Sequence, residues 1–438
     1  MTSSQGALNA RKVLTKGGLG AFAMRVLALG LAFIADSYLA NALGLEKYDV
    51  WASAASWLAI LTVLTCLGMH TAMVRHLPAS LADKDYGLMR GMIGWTSKRM
   101  LLAGVIIGGV LFSLRYFIAG SSEEMAMLLA IVALMLPVQG LNVHRQGVLQ
   151  AFKQPVWCLM PDQVVRPLTL LAGLMIYVLA WGSPEPRHVA WIWLISLTAA
   201  FLAGAVLKRR LTPREVAAAT PKINAKNWQA TARPLLFLHI AGMLIAQADP
   251  AMLGLIGESG QAGIFAVANR IALLLGFGLA AVNAIAAPLI AQLFAAGERQ
   301  ELQGMLTLAA KGIALFTIPT AIVMVIIGPW LLGIFGEEFV AGYPALLWLI
   351  GGQTINALAG SVGFILTMTG FQIIATRIIW VSAIGKIILN FLLMPKWGAL
   401  GGAIGTAIML AFWNFWLWLE VRKKLDLEPT ILSSLLPK

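Results

Sequence analysis

Residues 312–335 read GIALFTIPTAIVMVIIGPWLLGIF, twenty-four residues without a charge. Coiled as a helix, that run extends about 36 Å at a rise of about 1.5 Å per residue, enough to cross a hydrocarbon core of about 30 Å. Lys311 closes it at one end and Glu337-Glu338 at the other. The rest of the chain repeats the pattern. Of 438 residues, 59% are hydrophobic and 12% charged, whereas a soluble domain carries about 25% charged residues. The mean hydropathy is +0.83. A soluble enzyme, a secreted disulfide scaffold and a disordered chain are excluded.

Twelve apolar segments emerge, with limits near 17–43, 47–74, 96–119, 124–150, 156–181, 187–207, 233–256, 262–290, 312–335, 340–369, 374–395 and 398–421. Gly, Pro, Asn and charged residues punctuate them, as in loops. The apolar run after the polar, basic first sixteen residues is too long for a signal h-region, so it is expected to be retained as the first span.

The net charge is +13. In a soluble protein this points to nucleic acid. Here position decides, and nucleic acid is not an expected partner. Twenty-four basic residues, among them Arg145, Lys208, Arg209 and Arg210, fall on the side that holds both termini. Four, Lys47, Arg115, Arg187 and Lys396, fall on the other. Basic residues collect in the cytoplasm, so both termini are expected there. The organisation expected is a cytoplasmic N-terminus (1–16), a six-helix lobe (17–210), a basic cytoplasmic linker (211–228), a second six-helix lobe (229–423) and a cytoplasmic tail (424–438). No external loop exceeds about ten residues, which leaves no room for a catalytic domain outside.

The two halves carry a weak repeat. Asp36 precedes Gly44 by eight residues, and Asp249 precedes Gly257 by eight. An aromatic-plus-small run follows each, Trp51-Ala-Ser-Ala-Ala-Ser and Phe265-Ala-Val-Ala-Asn-Arg, offset by a four-residue insertion. Two parallel six-helix halves facing a shared site are a transporter plan. The fold expected is therefore all-α and integral to the membrane, with twelve transmembrane helices in two six-helix bundles around a central cavity.

Four cations, Arg25, Arg166, Arg270 and Lys386, lie inside apolar segments, with three anions, Asp36, Asp162 and Asp249. A charge at bilayer depth faces a cavity or a partner. Arg25 and Asp36 are eleven residues apart and share a helix face. Asp162 and Arg166, flanked by Pro161 and Pro167, have the spacing of an intrahelical ion pair, and the prolines free carbonyls in a way that also suits a cavity wall. Asp249-Pro250 is expected to break the seventh span, and Arg270 enters the eighth from the same side, within reach of Asp249. Lys386 has Asn390 one turn on and no acid in its own span, which makes it a candidate anion binder. Gln353 and Asn356 sit at mid-depth, where helix–helix hydrogen bonding competes with sugar binding, open also to Asn390. Asp36, Asp162 and Asp249 are candidates for gating or ion coupling. The excess of cations favours an anionic substrate, with phosphate or diphosphate the natural one.

Several chemistries drop out. Cys66 and Cys158 sit in apolar surroundings and read as buried free thiols. His70, His144 and His239 are scattered, with no HExxH, so no metal is expected. Asp83-Lys84-Asp85 reads as a solvated loop. Gly385-Lys386 is not a P-loop, so ATP is not the direct fuel, and no cofactor is expected. The pairs Gly104/Gly108 and Gly401/Gly405 allow close helix packing.

One resemblance spans nearly the whole chain. Its signals are Lys16-Gly-Gly-Leu-Gly20, Leu43-Gly44-x-x-x-Tyr48, Val164-Val-Arg166-Pro167-Leu168, Asp249-Pro-Ala-Met-Leu-Gly254 and Gly263-Ile-Phe-Ala-Val-Ala-Asn-Arg270. It continues in Ala287-Pro288-Leu-Ile, Gly352-Gln353-x-Ile-Asn356, Met368-Thr369-Gly370 and Leu389-Asn390-Phe-Leu-Leu-Met-Pro395-Lys-Trp-Gly398-Ala-Leu-Gly-Gly402-Ala. In this order they resemble the Wzx-type oligosaccharide flippases of the multidrug and polysaccharide exporter superfamily. The resemblance implies a non-enzymatic protein of the bacterial inner membrane. Such a protein moves an undecaprenyl-diphosphate-linked oligosaccharide to the periplasmic leaflet by alternating access in a cation-lined cavity. It also implies bilayer lipid, a polysaccharide polymerase and a chain-length regulator as partners. The family's usual Tyr is Phe265 here, and Lys386 stands where a neutral residue is expected. A multidrug-type cation exporter of the same fold would want an acidic cavity. A glycan polymerase or ligase would show a sizeable external loop.

Overall fold

The computed structural model describes residues 24, 26–120, 122–152 and 154–430. Arg25, the N-terminal Lys16–Gly20 motif and the tail beyond Thr430 lie outside the described residues. Among those described there is no strand. The helices are α1 (Val26–Leu43), α2 (Leu45–Cys66), α3 (Met69–Ala82), α4 (Tyr86–Ala119), α5 (Glu123–Ala151), α6 (Pro155–Met160), α7 (Arg166–Trp181) and α8 (Pro186–Leu211). After them come α9 (Arg214–Ala218), α10 (Ala225–Ile256), α11 (Gln261–Ala272), α12 (Gly276–Ala296), α13 (Arg299–Gly333), α14 (Tyr343–Leu358), α15 (Val362–Met368) and α16 (Gln372–Leu425). Large apolar side chains stand fully out from the bundle, with Phe117 88% and Leu179 85% exposed. Water would not tolerate such a surface over so many helices, and lipid does.

Ten of the described helices are long and apolar enough to cross a membrane, or eleven if Glu337–Leu358 and Val362–Met368, bent by 40°, form one span. The twelve of the sequence reading are not reproduced as twelve separate helices. The difference centres on α16, which counts once among the ten. As one rod its 54 residues would be about 81 Å long, far beyond a bilayer core of about 30 Å. It does not run as one rod. At Gly398 the backbone takes φ 51° and ψ −129°, outside helical space, a conformation glycine adopts freely. The two arms then pack back on each other. A Cβ on Gly401 would meet the Leu393 carbonyl oxygen at 2.5 Å, one on Gly405 the Asn390 Oδ1 at 2.8 Å, and one on Gly385 the Met409 Cε at 3.0 Å. The pairs step evenly in opposite directions along the chain, which defines an antiparallel hairpin. The Gly104/Gly108 pair works the same way between α4 and α5, where added Cβ atoms would meet Pro137 Cα at 2.7 Å and the Ala133 carbonyl oxygen at 2.6 Å.

The chain divides into two compact units. The first comprises the described residues up to Leu43 with Ala54–Met243, the second Gly44–Ser53 with Leu244 onward. In the first, α4 pairs with α5, and α5 with α3 and α8. Ser122 caps α5 by accepting from Met125 N at 3.2 Å, and Glu123 and Glu124 sit in the first turn, where the helix dipole favours anions. Lys208, Arg209 and Arg210 close α8 with the complementary sign. The basic linker is not a loose loop. Arg90 donates to the Ala219 carbonyl at 2.7 Å, Lys222 N to the Gly87 carbonyl at 2.9 Å, and Trp228 is buried. Gly87 and Gly91 make this possible, since a Cβ on Gly91 would lie 1.8 Å from the Lys222 carbonyl oxygen. Asp85, expected in a solvated loop, caps α4 at Leu88 N (3.0 Å) and pairs with Lys222 at 3.2 Å.

In the second unit α14 packs on α16 and α13, and α12 on α13. Residues 44–53 join it by their own bonds. Leu45 N donates to Glu338 at 3.0 Å, Gly263 N to Asp49 Oδ1 at 2.8 Å, and the rings of Tyr48 and Phe339 meet edge to face.

Candidate functional site

The first polar cluster belongs to the first unit. Prolines at 161 and 167 exclude a regular helix across this stretch, and Pro161–Val165 forms a π-helical turn. That turn presents Asp162 to one face of α5. Asn142, Arg145 and Gln146, spaced i, i+3 and i+4, lie on one face of the helix, and all donate to the Asp162 carboxylate, Gln146 Nε2 at 2.7 Å. Arg145 Nη2 is its ion-pair partner. The same guanidinium donates to Asn142 Oδ1 at 2.9 and 3.1 Å and to the Cys158 carbonyl at 3.3 Å. Two expectations are corrected here. Asp162 pairs with Arg145 on another helix, not with Arg166 on its own. Arg145, counted among the cytoplasmic basic residues, is 1% exposed inside the bundle.

Arg166 is thereby left near Asp162 but without an ion-pair contact to it. Its guanidinium lies over the Trp193 ring at 5.5 Å, and among the described residues no acid comes within ion-pair distance of it. A cation over an aromatic face keeps its planar donors available.

The second cluster belongs to the second unit. Lys386 Nζ pairs with Asp249 Oδ2 at 2.5 Å, the two side chains being 2% and 1% exposed. Lys386 also donates to the Ile245 carbonyl. Asn390, one turn along the same arm of α16, donates to Asp249 Oδ1 at 2.8 Å. Thr406, on the other arm, reaches both carboxylate oxygens at 3.4 Å. Three expectations change. Lys386 does have an acid, placed on α10 rather than in its own span. Asp249 pairs with Lys386 and not with Arg270. The helix also does not break at Pro250, because α10 runs from Ala225 to Ile256. Proline there only removes the donor for the Ala246 carbonyl and loosens the turn, and in that turn the Ile245 carbonyl receives Lys386.

The remaining candidates fall as follows. Asp36 is buried on α1. Arg270 is partly buried in the last turn of α11. Gln353 and Asn356 form a helix–helix relay on α14, with Asn356 Nδ2 to Gln353 Oε1 at 3.4 Å and Asn414 Nδ2 to Asn356 Oδ1 at 3.0 Å. Both cysteines are free and buried. His70 and His239, read as scattered, face each other with ring centroids 4.8 Å apart, and Thr71 Oγ1 lies between them. Sequence reasoning missed Arg145, Asn142, Gln146, Thr406 and Asn414. A signal existed for the first three, because the run Asn142–Gln146 lies inside an apolar segment. Thr406 and Asn414 carried none.

A multi-pass helical membrane protein with buried charge clusters in each of two units is the class these features define. The comparisons place it further. The family model described as polysaccharide biosynthesis protein matches residues 14–294, well over half the chain, and the chain belongs to that family. It is 20% identical over 405 residues to a probable low-salt glycan biosynthesis flippase, Agl15, of Haloferax volcanii, covering 91% of this chain and 81% of that protein. Its fold is similar to that of the lipid II flippase MurJ in an inward closed conformation, with a TM-score of 0.74 at 17% identity over 93% of this chain and 87% of the other. It is also similar to an inward-facing multidrug resistance MATE family transporter of the MOP superfamily, with a TM-score of 0.68 at 15% identity over 89% and 94%. At these identities the structural likenesses speak for the fold.

Proposed function

We propose that this protein is a flippase. It carries an oligosaccharide linked to undecaprenyl diphosphate from the cytoplasmic to the periplasmic leaflet for surface-polysaccharide synthesis, by alternating access. It resides in the cytoplasmic membrane with both termini inside, and a polymerase and a chain-length regulator act after it. The observation that carries this reading is Arg166. The partly buried carboxylate of Asp162 stands one turn away, yet it is ion-paired with Arg145, and the Arg166 fork is left for an anion from outside the protein. A diphosphate offers the planar, bidentate acceptors that arginine matches. Arg270 and Arg25 are the proposed companions of Arg166, Gln353 and Asn356 the proposed sugar contacts, and Asp36 and Asp162 the gating or coupling carboxylates. Membership of a polysaccharide biosynthesis family favours this cargo over a cationic drug.

The test is a comparison by mass spectrometry of lipid-linked intermediates from cells with and without the protein, and from cells carrying Arg166→Gln. Accumulation of a diphosphate-linked oligosaccharide with loss of surface polymer supports the flippase, and the variant is expected to reproduce it at normal protein levels. Unchanged intermediates with new sensitivity to cationic drugs would overturn the reading in favour of a multidrug exporter.

A further inference from the structure

The Lys386 cluster has the composition of a cation site. Around the ammonium stand the Ile245 carbonyl and the Asp249 carboxylate. Within the same cluster are the Thr406 hydroxyl and the amide oxygen of Asn390. That last oxygen is buried and has no hydrogen-bond donor, although Asn390 itself is 0% exposed. An orphaned buried acceptor is costly and rare in a packed interior. Here room is kept for it, since a Cβ on Gly405 would come within 2.8 Å of it. The donors are all oxygens, drawn from α10 and from both arms of α16. Hard monovalent cations take carbonyl, hydroxyl and carboxylate oxygens of this kind. One carboxylate balances one positive charge, so the cluster is neutral with a single monovalent cation inside it.

We infer that this cluster is a monovalent-cation cage whose cation is supplied by the chain itself, as the tethered ammonium of Lys386. While Lys386 is present, a free sodium ion finds the carboxylate neutralised and the space filled. With the ammonium removed, the Asp249 carboxylate loses its counter-charge and must take up either a proton or a free cation, and the orphaned Asn390 oxygen adds a ligand that only the cation would use. The protein therefore needs no sodium at this place, and a single substitution gives it a sodium requirement. This inference is independent of the cargo proposed above and stands or falls without it.

The experiment uses the full-length protein in nanodiscs, with radioactive sodium binding and thermal unfolding in sodium chloride against choline chloride at equal ionic strength. The wild type is expected to bind no sodium that Asp249→Asn removes, and to melt at the same temperature in both salts. Lys386→Met is expected to bind one sodium ion and to melt at least about 2 °C higher in sodium than in choline, as mass action requires of a ligand that binds only the folded state. Both effects are expected to vanish in Lys386→Met with Asp249→Asn. Lys386→Gln serves if the methionine variant does not fold. Sodium binding by the wild type that Asp249→Asn abolishes would overturn the inference. So would a folded Lys386 variant that is indifferent to sodium, lithium and potassium.

Discussion

Gly204 on α8 is the point at which one methyl group tests the Arg145–Asp162 cluster. A Cβ at that position would lie 2.2 Å from Arg145 Cδ and Nε and 2.6 Å from Cζ. Non-bonded carbon atoms settle at about 3.5–4.0 Å, so the side chain must retreat by about 1.3 Å or more. It has nowhere to go without loss, because its head is bonded to Asn142, to the Cys158 carbonyl and to Asp162. Removing one partner of a buried ion pair outright costs about 3–5 kcal/mol. In Gly204→Ala both charges remain and can meet again in poorer geometry, so about half of that, ~2 kcal/mol, is expected to be lost. The higher helix propensity of alanine returns about 1 kcal/mol. The net destabilisation expected is thus about 1 kcal/mol, and about 2–4 kcal/mol if the pair does not re-form. In an Arg145→Ala background the clash is gone, and Gly204→Ala is expected to be neutral or to stabilise by up to about 1 kcal/mol. Reversible unfolding in mixed micelles of the four proteins of this cycle measures both quantities. A Gly204→Ala protein within about 0.5 kcal/mol of wild type, or one that loses as much stability without Arg145 as with it, would refute the argument.

Two further outcomes follow from the linker. Gly91→Val places a side chain where the Lys222 carbonyl lies 1.8 Å from the glycine's ideal Cβ. The strap at 219–224 is expected to lift from α4, and trypsin to cut at Lys222 about tenfold faster as that segment opens; an unchanged rate would show that the glycine is not what seats the strap. The Asp85 carboxyl is held below the usual carboxylate range, first by the Leu88 N–H that it accepts and then by Lys222. A depressed folded value means that its contribution is complete above the unfolded value and is lost as pH falls through the folded one. Protection of the linker from an acid-active protease is therefore expected to decline as pH drops below the usual carboxylate range, more steeply in wild type than in Asp85→Asn, and parallel profiles would exclude the contribution.

What the sequence made legible was whatever is periodic or local. The run at 312–335 needs only its length to be read as a span, and Gly104, Gly108, Gly401 and Gly405 mark close packing because a missing Cβ admits any neighbour. Charge pairing was misread for a physical reason. Within one helix, spacing reports proximity, so it matches Asp162 to Arg166 and offers Lys386 no acid. The actual partners, Arg145 and Asp249, come from other helices, 17 and 137 residues away along the chain. Nothing in linear spacing encodes which faces of two helices will meet. The π-helical turn at Pro161–Val165 rotates Asp162 toward α5 and away from the register that an ideal helix would give it. His70 and His239 escaped notice in the same way, since their pairing depends on α3 lying against α10.

The opening turns of α2 have a consequence for biosynthesis. Asp49 is bonded to an amide 214 residues further along the chain, and Leu45 to a carboxylate 293 residues further. At about 5–20 residues per second, the glutamate is translated about 15–60 s after the leucine that it receives. For about 10–40 s of that interval the Asp49 carboxylate, destined for burial, has no Gly263 amide to accept from, and the second unit consists of this piece alone. Residues 44–53 therefore wait for their partners, and a ribosome halted after Met243 would release a first unit carrying an unfinished piece of the second.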